Sequence, residues 1–108
     1  MLCFFQFKDS RAVAVSAAPA PRRCIALTFD DGPSPQTTAA LLDGLKERGA
    51  HATFFLIGEQ IAGNEAIVRR MKDEGHQIGN HSFTHARLDA ADAAALGEIQ
   101  KTDDALRD

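Results

Sequence analysis

Short apolar runs alternate with amphipathic segments along this chain, and this alternation limits its fold more than any other feature. The runs 24–29 and 52–57 carry β-branched and aromatic residues and are predicted to form buried strands, with a shorter third strand at 77–79. Strands that alternate with helices indicate a parallel sheet with right-handed crossovers. Near-continuous apolar strands are typical of a sheet covered on both faces. The predicted class is therefore α/β, built from parallel β/α units.

Between the strands, apolar residues recur at the spacing of an amphipathic helix. We expect the first helix to begin at Ser34-Pro35, as a cap followed by proline, and to end at Gly49. A second helix is expected over about 64–75 and a third over about 92–107. The side chains expected to face the core are Leu41, Leu42, Leu45, Ile67, Val68, Met71, Leu96, Ile99 and Leu106.

Size and charge narrow the classes of function. The 108 residues suffice for one modest domain, which we expect over 23–108, after a leader or disordered tail at 1–22. The net charge of −3 offers no electrostatic basis for binding nucleic acid. No run reaches the roughly 18–20 apolar residues of a spanning helix, so no transmembrane segment is expected.

The first 22 residues bear on location. An apolar start followed by a small-residue, proline-rich stretch is typical of a signal segment, although the basic beginning is missing. We expect a secreted or cell-envelope protein, with a cytoplasmic location as the alternative. Cys3 and Cys24 lack the spacing of a zinc or redox pair. Cys24 is interpreted as a small buried residue that begins the first strand, with a Cys3–Cys24 disulfide as the alternative.

Two adjacent acids, Asp30 and Asp31, follow the first apolar run and precede Gly32-Pro33. Neighbouring residues of a regular strand point to opposite faces. If the strand ends between the two acids, the turn can aim both carboxylates into one mouth. One acid can then bind a metal ion while the other accepts a proton. The alternative is a polar turn that leads into a helix cap, because Asp, Gly, Ser and Pro are the common turn residues.

His81 and His85 form an H-x-x-x-H pair after the third strand. In a helical turn, residues at this spacing share one face, where two imidazoles can bind one ion. The carboxyl ends of parallel strands meet at one edge of the sheet, so the acids and these histidines are expected at the same mouth. One aspartate and two histidines form a three-ligand set with open positions for water and substrate.

The motifs LTFDDGP, ATFFLIG and GHQIGNHSFTH occur in this order, and with them the chain closely resembles the polysaccharide deacetylases, the NodB-homology family-four carbohydrate esterases. The resemblance covers about residues 24–88. It implies the front portion of a distorted (β/α) barrel and a metal-dependent hydrolase that removes N- or O-acetyl groups from glycans. Zinc is the expected metal and cobalt the alternative. Chitin oligomers, peptidoglycan and acetylated xylan are the substrates that the resemblance suggests, with an N-acetylglucosamine polymer first.

The resemblance also implies roles for single residues. By the family pattern, Asp30 is the catalytic base, and Asp31, His81 and His85 are the metal ligands. Asn80 and Ser82 are weaker candidates for groups that orient the ligands. His51 and His76 precede strands and are expected to be structural or exposed.

The later motifs of the family are missing from these 108 residues. They are an Arg-x-Pro-Tyr segment, an Asp-Trp segment and a Leu-x-His segment whose histidine acts as general acid. The chain has no Tyr, no Trp and no His after His85. We therefore interpret 23–108 as an incomplete polysaccharide deacetylase domain that is inactive or slow by itself. Two alternatives stay open: a non-catalytic fragment or pseudo-enzyme that keeps only the metal site, and a phosphatase with an aspartate nucleophile, which adjacent acids disfavour.

Overall fold

The computed structural model describes residues 24–90 and 92–107, and the predictions for the leader at 1–22 concern residues outside these ranges. The described elements follow the predicted order of strand, helix, strand, helix, strand and helix. They are β1 (Thr28–Gly32), α1 (Thr38–Glu47), β2 (Thr53–Leu56), a short 3-10 turn (Gly58–Gln60), α2 (Glu65–Asp73), β3 (Gln77–Asn80) and α3 (Ala93–Arg107).

The three strands form one parallel sheet in the order β1-β2-β3, which confirms the predicted α/β class. β2 and β3 pair in regular register from Thr53 opposite Gln77 to Leu56 opposite Asn80. Because all strands run the same way, their carboxyl ends lie along one edge. The segments that follow β1 and β3 therefore start from the same edge, as the sequence predicts.

One face of the sheet carries the hydrophobic core. Leu42 of α1 and Met71 of α2 are fully buried against Phe54 and Leu56 of β2. The rings of Phe29 and Phe54 stack with their centroids 5.4 Å apart. Burial of a side chain of this size contributes about 1.5–3 kcal/mol, so this face anchors the sheet.

The prediction of a buried first strand at 24–29 is wrong in place and in burial. β1 begins at Thr28, Ile25 is 67% exposed, and the side chains of both Asp30 and Asp31 are exposed. Within the described residues, the second face is covered only in part, since Phe55 on that face is half-buried. An apolar run indicates that its residues are suited to burial. Whether they are buried depends on the helices and loops that pack against them.

Cys24 also differs from its interpretation as a buried residue within a strand. It lies before β1, is exposed and is disulfide-bonded.

The first helix begins later than predicted. α1 starts at Thr38, after a turn at 35–37, rather than at Ser34-Pro35. A reciprocal pair of hydrogen bonds spans this turn: Ser34 N donates to Thr38 Oγ1 at 2.8 Å, and Thr38 N donates to Ser34 O at 3.1 Å. Its end agrees with the prediction, because Gly49 adopts a left-handed conformation with φ 57°.

The third helix matches its predicted core-facing residues only in part, because Leu106 packs against the core whereas the other two are exposed. Leu96 is 67% exposed and Ile99 is 43% exposed, whereas Thr102 is fully buried. Thr102 packs on the 3-10 turn: a methyl group added to Gly58 would lie 2.5 Å from Thr102 Oγ1. α3 therefore covers the segment after β2. Within the described ranges, no helix has both the length and the apolar character needed to cross a bilayer.

Candidate metal centre

Asp31 reaches the site through a bulge in β1. Phe29 pairs with Phe54, but the next pair is Gly32 with Leu56, so β1 uses one residue more than β2 over this stretch. Asp31 lies in this extra stretch with φ 66°, in the left-handed region. A bulge interrupts the alternation of side chains and re-aims one of them. The sequence-based expectation of a strand end between the two acids is thus replaced by a bulge within a strand that continues to Gly32.

The two histidines lie on a loop, residues 81–85, which we call the histidine loop. The expectation of a helical turn is wrong, because Ser82 (φ 63°) and His85 (φ 60°) are both left-handed and the segment forms no helix. The loop begins where β3 ends, with His81 N donating to Leu56 O at 2.9 Å. The ring of His81 rests near Phe55, with centroids 6.4 Å apart.

These segments bring three donor atoms together. Asp31 Oδ1 lies 3.2 Å from His81 Nε2 and 3.3 Å from His85 Nε2. All three ligand atoms lie within 4.8 Å of one another. Ligands held about 2.0–2.2 Å from a zinc ion at near-tetrahedral angles are separated from each other by roughly 3.3–3.6 Å. The donor types and their spacing fit a divalent ion such as zinc.

The centre is open on one side. The side chains of Asp31 and His85 are 64% and 59% exposed, while that of His81 is 29% exposed. A cleft of about 500 Å³ adjoins the two histidines and continues along Arg87 and Leu88. A three-ligand centre beside a cleft leaves coordination positions that water and a substrate can reach.

Asp30, the residue predicted to be the base, precedes Asp31 in the same bulge and is exposed. It is not a member of the group of three donor residues. Its role as a base therefore stays a prediction.

Sequence reasoning missed two residues that hold the centre in place. With its amide nitrogen turned toward them, Gln60 donates to the carbonyl oxygens of Asp31 at 3.1 Å and Pro33 at 3.0 Å, which supports the bulge. Glu98 of α3 accepts hydrogen bonds from the histidine loop, namely from Phe83 N and Thr84 N. These contacts depend on how distant segments pack, so no local pattern marked either residue.

The weaker candidate Asn80 orients the backbone of the loop. Its Oδ1 accepts from Ser82 N at 2.9 Å, and its Nδ2 donates to Ile99 O and to Asp103 Oδ1, both at 2.8 Å. Asn80 thereby joins the end of β3 to α3 beside the centre.

His51 and His76 lie at the amino ends of β2 and β3, as expected for structural residues. His76 is 8% exposed, and its Nδ1 accepts from Ala52 N at 3.1 Å. Burial, and next the nearby His51, lower the pKa of His76 below its usual 6.5. Neither histidine belongs to the group of donor residues at the other edge.

The chain is therefore an α/β protein with a candidate metal centre, formed by one carboxylate and two imidazoles at the carboxyl edge of its parallel sheet. Comparison with known sequences gives the family: the chain belongs to the polysaccharide deacetylase family, whose sequence profile matches residues 17–108. This membership favours the deacetylase interpretation over the phosphatase alternative.

Similarity to individual proteins agrees with this family assignment. The chain is 45% identical over 85 residues to a chitooligosaccharide deacetylase of Rhizobium leguminosarum bv. trifolii, covering 78% of this chain and 40% of the relative. Its structure resembles that of the peptidoglycan deacetylase PdaC from Bacillus subtilis, with a TM-score of 0.73, 43% identity, and coverage of 76% of this chain and 41% of that one. It also resembles a family-four acetyl xylan esterase from Clostridium thermocellum in complex with a cobalt ion, with a TM-score of 0.71, 37% identity, and coverage of 76% and 41%.

The chain thus spans about two fifths of the length of these relatives. The described residues of this chain form three parallel strands. A closed barrel is therefore expected only over the full length of the longer relatives.

Proposed function

We propose that this chain takes part in metal-dependent deacetylation of a polysaccharide, hydrolysing an N-acetyl or O-acetyl group. The observation that carries the proposal is the convergence of His81 Nε2 and His85 Nε2 on one oxygen of Asp31, at 3.2 and 3.3 Å. Family membership supplies the reaction class, and the open cleft beside the histidines supports access for a glycan.

Asp31, His81 and His85 would hold the metal. When bound, a divalent metal stabilises the negative charge that develops on the acetyl oxygen and lowers the pKa of water toward about 7. Nitrogen and carboxylate ligands suit zinc and its neighbours in the first transition row, and the cobalt ion of the similar esterase supports cobalt as the alternative.

Asp30 is the proposed base. A carboxylate oxygen of Asp30 takes one proton from water as the water oxygen attacks the acetyl carbon. The bond from this carbon to the sugar nitrogen then breaks as the nitrogen takes a proton from solvent, which yields acetate and an amine on the sugar. Asp30 is exposed and stands outside the ligand group, so its carboxylate is not occupied by the proposed metal.

The departing nitrogen also needs a proton. The four histidines of the chain are the two proposed ligands together with His51 and His76, and the latter pair lies at the opposite edge of the sheet. No histidine of the chain is therefore placed to donate to the leaving group. We accordingly propose that these 108 residues alone deacetylate slowly.

The proposed substrate is a polymer that contains N-acetylglucosamine. Relatives that act on chitooligosaccharides and on peptidoglycan support this choice. We also propose that the protein acts outside the cytoplasm or in the cell envelope, and the disulfide-bonded Cys24 supports an oxidising location.

The test compares Asp30→Asn with Asp31→Ala in the zinc-loaded chain, at tens of micromolar protein so that slow release of acetate is measurable. Asp31→Ala should lose both zinc and acetate release from N-acetylglucosamine oligomers, because one of three ligands is removed. Asp30→Asn should keep zinc, measured by native mass spectrometry, but lose acetate release. Wild-type rates from Asp30→Asn would remove the base assignment, and full zinc retention by Asp31→Ala would remove the ligand assignment.

A second candidate is a metal-binding chain without catalysis. The observation that favours it is that the histidines outside the centre lie at the wrong edge to protonate a leaving group. A wild-type chain that binds zinc tightly yet releases no acetate in the same assay would select this candidate.

A further inference from the structure

We propose that Glu98 of α3 is a positioning residue that fixes His85 for metal binding by holding the backbone of the histidine loop. A single carboxylate oxygen of Glu98 accepts three hydrogen bonds: from Phe83 N at 3.0 Å, Thr84 N at 2.7 Å and Thr84 Oγ1 at 3.0 Å. This inference rests on the proposed metal centre, because it concerns the geometry of one of its ligands.

The histidine loop needs such an acceptor because its conformation is unusual. Ser82 and His85 have positive φ values of 63° and 60°, which cost side-chain-bearing residues about 1–2 kcal/mol each. A loop in this conformation cannot satisfy its amides with helical hydrogen bonds. An ionised carboxylate forms hydrogen bonds roughly twice as strong as a neutral acceptor. Glu98 therefore supplies the partner that the strained backbone lacks.

Hydrogen bonds hold the histidine loop from two sides. On one side, the amides of Gly58 and Glu59 donate to the carbonyl oxygens of Ser82 (2.9 Å) and Phe83 (3.0 Å). On the other side, Glu98 accepts from the loop amides. The two sides therefore hold the same two peptide units, one side through their carbonyl oxygens and the other through their N–H groups. The carboxylate also accepts from Thr84 Oγ1, on the residue that directly precedes His85.

Glu98 can act in this way because its helix is anchored. Thr102 is fully buried, and its Oγ1 donates to Glu98 O at 3.1 Å. Lys101 Nζ lies 5.7 Å from the centroid of the Phe83 ring. The hydrogen bonds from Thr84 and Phe83 lower the pKa of Glu98 below its usual 4.5, which keeps the carboxylate ionised.

The test measures the zinc dissociation constant of the full chain by competition with a chelator. Glu98→Ala should weaken zinc binding by about 10- to 100-fold, the usual effect of removing a group that orients a ligand. Glu98→Gln should fall between this variant and wild type, because its amide oxygen still accepts but carries no charge. The matched control is Asp104→Ala, which removes the same charge from an exposed position of α3 where Asp104 accepts from Gln100, and should stay within about twofold of wild type.

A second readout needs no metal. Amide hydrogen exchange at Phe83 and Thr84 should quicken by about tenfold or more in Glu98→Ala and less in Glu98→Gln, with no change in Asp104→Ala. If Glu98→Ala does not fold, Glu98→Gln decides, and wild-type zinc affinity with wild-type exchange in that variant would overturn the proposal. An equal loss of zinc affinity in Asp104→Ala would also overturn it, since net charge would then be the cause. Absence of zinc binding by the wild type would instead refute the proposed function, while exchange still reports the hold of Glu98 on the loop.

Discussion

The sheet carries a pair of histidines at each end, and the two pairs are nearly equally close. At the amino edge, the rings of His51 and His76 lie with centroids 5.8 Å apart. At the carboxyl edge, those of His81 and His85 lie 5.0 Å apart. Proximity of imidazoles therefore does not distinguish a candidate metal centre from a packed pair.

The surroundings distinguish them. His76 is buried, and its Nδ1 accepts a hydrogen bond from the amide of Ala52. At the other edge, both Nε2 atoms face one oxygen of Asp31, and the side chain of His85 is 59% exposed. A shared anionic partner and open space convert two close imidazoles into a site that can hold an ion.

The backbone differs in the same direction. Before β2 and β3, the left-handed residues are Gly49 and Gly75, which adopt this conformation without steric cost. In the described ranges, the non-glycine residues with positive φ are Asp31, Ser82 and His85, all at the candidate centre. At the amino edge, glycines take the positive φ values and the backbone is unstrained. At the carboxyl edge, residues with side chains take them, so the backbone there is strained but carries the metal-binding groups.

The largest expected effect is a loss of zinc affinity on substitution of a histidine at the carboxyl edge but not of one at the amino edge. His81→Ala should weaken zinc binding beyond measurement, by more than the roughly 100-fold expected for groups that only orient ligands, because a donor atom is lost. The matched variant His51→Ala should leave the zinc dissociation constant within about twofold of wild type. Calorimetric titration with zinc measures both. Equal losses from the two variants would show that the edges do not differ as the geometry indicates.

The second largest expected effect concerns the glycines at the amino edge and is measured as a change in the free energy of unfolding. Gly75→Ala should destabilise the chain by about 1–3 kcal/mol, because Gly75 has φ 81° and its added methyl group would lie 3.1 Å from His51 Cδ2. Gly49→Ala should cost about 1 kcal/mol, since Gly49 has φ 57° but nothing within 4 Å of the added methyl group. Denaturant unfolding measures both, and a larger loss from Gly49→Ala would contradict the account of crowding.

The smallest effect is a pH dependence at the amino edge. Burial and the nearby His51 and Arg70 lower the pKa of His76, while Glu74 opposes them. The folded chain therefore binds this proton less readily than the unfolded chain. The contribution of neutral His76 to stability is complete above pH 6.5, the usual pKa, and is lost as pH falls toward the folded-state pKa.

The comparison variant for this pH effect is His76→Asn, whose side-chain oxygen can still accept from Ala52 N. Unfolding free energies of wild type and variant, measured from pH 7.5 to 5 with a chelator present, should converge as pH falls. Parallel profiles would rule out His76 as the titrating group.

Much of the site followed from residue order. Asp31 and the two histidines lie in motifs that directly follow predicted strands, and parallel strands bring their carboxyl ends to one edge. Local spacing failed where backbone conformation depends on neighbours, as in the histidine loop. The H-x-x-x-H spacing fits a helical turn, but in this structure it spans two left-handed residues. Hydrogen bonds from Phe83 and Thr84 to Glu98, 14 to 15 residues away in sequence, hold this conformation.

The sequence by itself determined the α/β order of elements and the chemical types of the donor residues, because periodicity and motif order are properties of nearby residues. Only the tertiary structure decided the bulge that turns Asp31 toward the histidines and the seating of α3 through Thr102 and Glu98. Those features arise from packing and hydrogen bonds between segments far apart in the chain. Such contacts have no counterpart in the local pattern of residues.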